Sequence, residues 1–157
     1  MPRETYWDVI DSPVGPLCAV ADGEGFLIEL RLDGTHPAGG QPKRLAAVRD
    51  QLGEYFSGRR REFDLPLRPR GTAFQQRVWQ MLQTIPFGQL LSYRGLAERL
   101  GNAAATRAVG RANGANPIAI VIPCHRVIAS DGSLGGYGGG LRMKAQLLAL
   151  EGHRYEA

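Results

Sequence analysis

The tetrapeptide Pro123-Cys124-His125-Arg126 sets a thiol directly before an imidazole, at the end of the apolar run Ile118-Ala119-Ile120-Val121-Ile122. Cysteine reacts as the thiolate, and an interior thiolate forms only where donors or positive charge stabilise it. A third group with acid–base chemistry, Glu151, stands just beyond the closing helical stripe 141–150. The helix dipole mildly disfavours an acid there, so Glu151 reads either as an ordinary surface glutamate or as a partner of His125. The thiol itself also fits an ordinary buried core cysteine. Its surroundings decide between the two.

The run between Pro117 and Pro123 is short, β-branched and uninterrupted, which predicts a buried strand that delivers Cys124 at a rigid end. In an extended segment Cys124 and His125 would point to opposite faces, which argues against a directly paired Cys–His hydrolase. Val127-Ile128-Ala129 predicts a second short strand, and 130–133 a turn. Leu134-Gly135-Gly136-Tyr137-Gly138-Gly139-Gly140 then exposes backbone N–H groups. With Tyr137 at its centre and a helix directly after it, this stretch reads as a ligand-lining loop rather than a linker.

Upstream, Thr72 can cap a helix with the stripe Phe74, Val78, Met81, Leu82 and Ile85. Ser92 can cap a second helix ending at Gly101, and a short turn leads into a third near 103–114. Two short helices around a glycine-bearing turn form the helix-turn-helix pattern. In the third helix Ala105, Ala108, Val109 and Ala112 share one face, while Arg107, Gly110, Arg111 and Gly114 share the other. A solvated face normally carries Glu, Lys and Gln. Glycines with arginines permit close backbone approach, with guanidinium groups at hand for phosphates or for insertion beside bases.

Charge follows the same division. Residues 1–65 hold 8 Lys/Arg and 11 Asp/Glu, net −3, whereas residues 66–157 hold 11 and 4, net +7. Between Leu67 and Arg126 the only acid is Glu98, against eight arginines. That is the footprint of a polyanion partner. Having 17 Arg and only 2 Lys reflects a compositional preference for arginine, but such a preference does not remove acids.

The first part predicts a small α/β domain, residues 1–67. Strands are expected at 6–11, 17–21 and 26–32, a loop at 34–42, a helix at 44–56, and an edge strand or linker at 63–67. Pro66, Pro69 and Gly71 mark the passage to a mostly helical second domain, residues 68–157. The charged N-terminus is no signal peptide, and no stretch reaches the length of a membrane span. Two cysteines, Cys18 and Cys124, could pair once, yet a secreted framework usually shows more, which favours a reducing cytoplasm. With no CxxC and no ligand spacing among His36, His125 and His153, no metal and no cofactor are expected.

The stretch from about Phe74 to Gly152 resembles the DNA-binding and active-site domain of the O6-alkylguanine-DNA alkyltransferases. The resemblance rests on Ser92-Tyr93, Arg107-Ala108-Val109-Gly110, Asn116-Pro117, Ile122-Pro123-Cys124-His125-Arg126-Val127, Gly136-Tyr137 and Leu150-Glu151-Gly152, matched in order and spacing. It implies an RNase H-like N-terminal domain and a single-turnover repair protein that takes the alkyl group onto its own cysteine. By this resemblance Cys124 is the acceptor, and His125, through a water, and Glu151 draw off its proton. Asn116 fixes the turn before the active-site strand. Tyr93 and Arg107 serve base flipping, Arg107 by filling the vacated stack. Arg94, Gly110 and Arg111 join them in binding DNA, while Tyr93, Val127, Tyr137 and Gly138 line the substrate pocket and main-chain groups at Cys124 and Val127 read the guanine edge. The implied partner is duplex DNA carrying O6-alkylguanine, bound through the minor groove by a monomeric protein. Gly138 stands where some relatives carry a hydroxyl residue, and Cys18 with His36 cannot make the zinc site that some relatives hold. Cys124 argues against a related class of lesion sensors that lack the cysteine.

Overall fold

The structure, a computed structural model of the chain, describes residues 4–155. Two compact units divide it: the chain up to Arg70 together with Pro117–Val121, and Gly71–Asn116 together with the chain from Ile122 on.

In the first unit β1 (Thr5–Ile10), β2 (Leu17–Asp22) and β3 (Leu27–Arg31) form an antiparallel meander, with β4 (Gln41–Pro42) added parallel to β1. Every residue of β2 is buried, so its run Leu17-Cys18-Ala19-Val20-Ala21 is apolar without alternation. The β1–β2 turn closes where Gly15 takes φ +108° and its N–H donates to Ser12 O at 3.0 Å. Helix α1 (Ala46–Phe56) turns Val48, Leu52 and Tyr55 inward. It starts two residues later than predicted because its cap comes from another element: Asp8 on β1 accepts from Leu45 N at 3.0 Å and from Arg49 Nε at 3.1 Å.

The expected three strands and helix are present. Strand β4 lies in the stretch expected to be loop. The segment 63–67 contributes one bridge, Leu27 to Leu67.

The strand expected at 118–122 is not there. The segment is buried throughout, but it makes only isolated bridges, Ile118 to Leu30 with further bridge residues at Ala119 and Ile122, and it turns between them. Ile120 sits at φ +72° with Val121 N donating to Ala119 O at 2.8 Å, a γ-turn of the strained positive-φ form. Pro123, at φ −82° and ψ 63°, makes a second γ-turn of the relaxed form, with Cys124 N donating to Ile122 O at 2.8 Å. A continuous apolar run encodes burial and not extension. A β-branched residue at positive φ costs on the order of 1–3 kcal/mol, so the surrounding packing must hold it.

The second unit begins with α2 (Ala73–Leu82), started by a capping box in which Gln75 N donates to Thr72 Oγ1 and Thr72 N to Gln75 Oε1. β5 (Leu91–Ser92) pairs in parallel with β6 (Val127–Ile128). Ser92 caps α3 (Tyr93–Arg99), its Oγ accepting from Gly95 N at 2.9 Å. A turn with Gly101 at φ +86° and a single 3-10 turn, Ala103–Ala105, lead into α4 (Thr106–Gly114). Helix α4 packs on α2 and α3, and buried Trp79 of α2 donates its indole N–H to Ala112 O at 2.8 Å. The chain closes with α5 (Leu141–Leu150). No helix among the described residues is long and apolar enough to cross a membrane.

Candidate alkyl-acceptor site

Cys124, His125 and Arg126 form a 3-10 turn between the Pro123 γ-turn and β6, instead of the extended strand end expected from sequence. All three are buried. The expected face-to-face opposition of Cys124 and His125 therefore does not apply; a tight turn sets their directions.

Asn116, just beyond α4, donates from Nδ2 to Ile122 O at 2.8 Å, and its side chain also hydrogen-bonds the Cys124 thiol. One side chain thus holds both the return of the chain and the sulfur. Burial pushes the thiol up, while the Asn116 hydrogen bond and the Lys144 charge act the other way, and burial prevails in the unliganded protein. The Cys124 carbonyl accepts from Val127 N–H and, at 3.4 Å, from Asn113 Nδ2 on α4.

Glu151, at the C-terminal end of α5, is buried against His125 and Arg126. Its Oε2 lies 2.7 Å from His125 Nε2, and Arg126 Nε donates to its Oε1 at 2.7 Å. Burial alone would raise this carboxyl, but hydrogen bonds from His125 and Arg126, with their charges, outweigh it and hold it down at about 2. Of the two readings of Glu151 left open by the sequence, the structure supports the partnership with His125. An ionised Glu151 accepts a hydrogen bond from Nε2–H, which leaves Nδ1 as the acceptor nitrogen. That Nδ1 is buried with no hydrogen-bond partner among the described residues. Burial lowers His125 and outweighs the raising effect of Glu151.

Beside Cys124 and Val127, Tyr93, 134–136 and Lys144 pack together. The Tyr93 ring lies against the backbone of Gly135, where an added Cβ would stand 2.8 Å from Tyr93 Cε2, and a Cβ on Gly110 would meet its Cδ1 at 3.8 Å. The Gly136 amide donates to the Tyr93 hydroxyl, whose acidity is reduced chiefly by burial. Lys144 Nζ donates to the carbonyls of Val127 (2.6 Å), Gly136 (3.1 Å) and Leu134. It is fully buried, and burial pulls it down to about 8. Tyr137 is half-buried and Gly138 exposed, with nothing within 4 Å of a Cβ placed there.

The structure therefore gathers Cys124, His125, Glu151, Asn116, Tyr93 and Val127 in one region. Arg94, Arg107 and Arg111 stand apart as exposed side chains on α3 and α4, with Arg94 paired to Glu98 at 3.2 Å. Sequence reasoning missed the roles of Arg126, Lys144 and Asn113. For Lys144 a signal existed: in a chain with only two lysines, one falls on the same helical stripe as Ala145 and Leu148. Among the described residues no group of three or more His, Cys, Asp or Glu could hold a metal. Both cysteines are free thiols.

Two family models match this chain: the 6-O-methylguanine DNA methyltransferase ribonuclease-like domain over residues 5–69 and the corresponding DNA-binding domain over residues 73–153. A methylated-DNA–protein-cysteine methyltransferase from Mycolicibacterium paratuberculosis is 51% identical over 148 residues, covering 90% of this chain and 89% of the relative. One from Methanosarcina barkeri is 45% identical over 93% and 96%. The crystal structure of the Mycobacterium tuberculosis O6-methylguanine methyltransferase superposes with TM-score 0.88 at 47% identity, covering 98% and 96% of the two chains. The Mycobacterium tuberculosis OGT solved in complex with DNA gives TM-score 0.87 at 48% identity, covering 93% and 92%. Family models over both units and relatives near half identity along the whole length lead to one conclusion: this chain belongs to the methylated-DNA–protein-cysteine methyltransferase family.

Proposed function

We propose that this protein binds duplex DNA through the minor groove, flips an O6-alkylguanine out of the stack and transfers the alkyl group to Cys124, once per molecule. The observation that carries the reading is the buried Cys124 thiol, held by Asn116 and followed by a histidine whose Nε2 is fixed on Glu151. The thiol gives its proton to His125 Nδ1 through a bridging water. The thiolate then attacks the alkyl carbon: a C–S bond forms, and the C–O6 bond breaks with its electron pair going to the guanine. The guanine takes back one proton. Thiol and O6-alkylguanine become thioether and guanine, and no group near Cys124 offers a way to hydrolyse a thioether.

A base inside a duplex is out of reach of a buried thiol, so extrusion has to precede transfer. Helix α4 supplies a small-residue surface at Gly110 with exposed Arg107 and Arg111, Arg107 filling the stack and Arg111 holding phosphates. Tyr93 and the 134–138 loop form the pocket wall around the flipped base. Two free buried cysteines accord with a protein working in a reducing cytoplasm. The test is a titration of a duplex carrying O6-methylguanine against fixed protein. Restored guanine should rise to one per protein molecule and stop; continued turnover would refute the reading.

A further inference from the structure

The residue after the Cys-His pair, Arg126, is buried although it carries a full charge, and each of the three nitrogens of its guanidinium donates a hydrogen bond. Nε and Nη2 donate to Oε1 and Oε2 of Glu151 at 2.7 and 3.1 Å, and Nη1 donates to Ile85 O at 2.7 Å. The Phe87 ring centroid lies 5.8 Å from Cζ. Glu151 thus receives three donors: two from Arg126 and one from His125.

This arrangement bears on where a proton can rest. A carboxylate beside an imidazole makes the imidazole more basic and so favours carboxylate and imidazolium. An imidazolium has no lone pair on Nδ1 and cannot accept a proton from the thiol. The groups facing His125 are Glu151 at the end of α5, Lys144 within α5, and Cys124 and Arg126 on its own turn. Burial opposes the imidazolium most strongly, Glu151 favours it, and the charges of Arg126 and Lys144 add to the opposition. Of these, Arg126 alone both touches Glu151 and carries the opposite charge. Saturated by Arg126, the carboxylate also cannot take up the proton itself, so the proton leaving sulfur stops at His125.

We propose that Arg126 is a positioning residue of the transfer site: by neutralising Glu151 it keeps the Nδ1 lone pair of His125 available to the Cys124 proton at neutral pH. This rests on the reading of Cys124 as alkyl acceptor.

The experiment is the rate of benzyl transfer from free O6-benzylguanine to the full-length protein, from about pH 5 to pH 9, so that the histidine range is spanned. Arg126→Gln should bring the acidic limb up by about two units or more, into the histidine range, about tenfold slower near pH 6 and recovering towards pH 9. Arg126→Lys, which keeps the charge, should restore much of the wild-type profile. An equal loss at every pH, or an unshifted limb, would overturn the proposal. Since Arg126→Gln leaves a buried carboxylate uncompensated and can fail to fold, 15N-histidine NMR of wild type and Arg126→Lys provides a second measurement. His125 should stay neutral with its hydrogen on Nε2 across the histidine range in wild type, and a His125 that titrates there would overturn the proposal. If wild type takes up no benzyl group, the acceptor reading fails instead, and a His125 that titrates in the NMR measurement would still overturn the role of Arg126.

Discussion

At the level of single residues, the thiol is opposed by its own burial and helped by Asn116 and Lys144. Cys124→Ser should keep DNA binding and lose transfer entirely, because a hydroxyl has no comparable anion to offer near neutral pH. Methyl found on Cys18 in the wild-type protein would contradict the assignment. Arg107→Ala should lose at least tenfold more rate on duplex than on free O6-benzylguanine, since a stack-filling guanidinium offsets a flipping cost of a few kcal/mol and leaves the sulfur chemistry alone. Equal losses on both substrates would place Arg107 in the chemical step or in folding. Cys124, His125 and Glu151 were legible as candidates because each is a reactive type at a place where an apolar or neutral one would be expected, whereas Asn116 was named through the family resemblance alone. Arg126 and Asn113 were not. An arginine in an arginine-rich segment and an asparagine near a helix end look like solvated residues until the fold buries them.

Among the elements, those whose signals are local were read correctly: the Thr72 and Ser92 caps, the Gly101 turn, and the three antiparallel strands. The misreadings have two causes. Strand β4 and the late start of α1 depend on partners far away in sequence, whereas the two γ-turns at Ile120 and Pro123 close on local hydrogen bonds within a short apolar run that does not specify its own path. Helix α4 carries the element-level expectation. If it tracks the backbone with Arg111, affinity for undamaged duplex should fall steeply with salt, with a log–log slope of about −0.9 per neutralised phosphate. Arg111→Ala should then weaken all duplexes alike and reduce that slope by about one. A salt-insensitive affinity, or a loss confined to particular undamaged sequences, would contradict this.

On the scale of the whole molecule, the charge division was visible in composition and the passage to a second part in Pro66, Pro69, Gly71 and the change to helical patterning, whereas the membership of Pro117–Val121 in the first unit was not. Stability should depend on the buried Glu151 ion pairs. With its carboxyl lowered from 4.5 to about 2, Glu151 contributes stability that is present above about pH 4.5 and is lost as pH falls through about 2, on the order of 3 kcal/mol. Glu151→Gln should be less stable than wild type at pH 7, by about 3–5 kcal/mol, because Arg126 is left buried without its counter-charge. The gap should close in acid, and an equal gap at every pH would show that the ion pair is not its cause. Alkylation should act in the same direction: a methyl in packed surroundings costs about 1–3 kcal/mol and lowers the melting temperature by several degrees. Unmodified and methylated protein melting together would show a looser pocket. The most direct measurement of all is intact mass followed by peptide mapping, before and after incubation with a duplex carrying O6-methylguanine. The account predicts the mass of a single added methyl per molecule, found on the peptide that holds Cys124; an unchanged mass with repaired DNA, or methyl on any other residue, would contradict it.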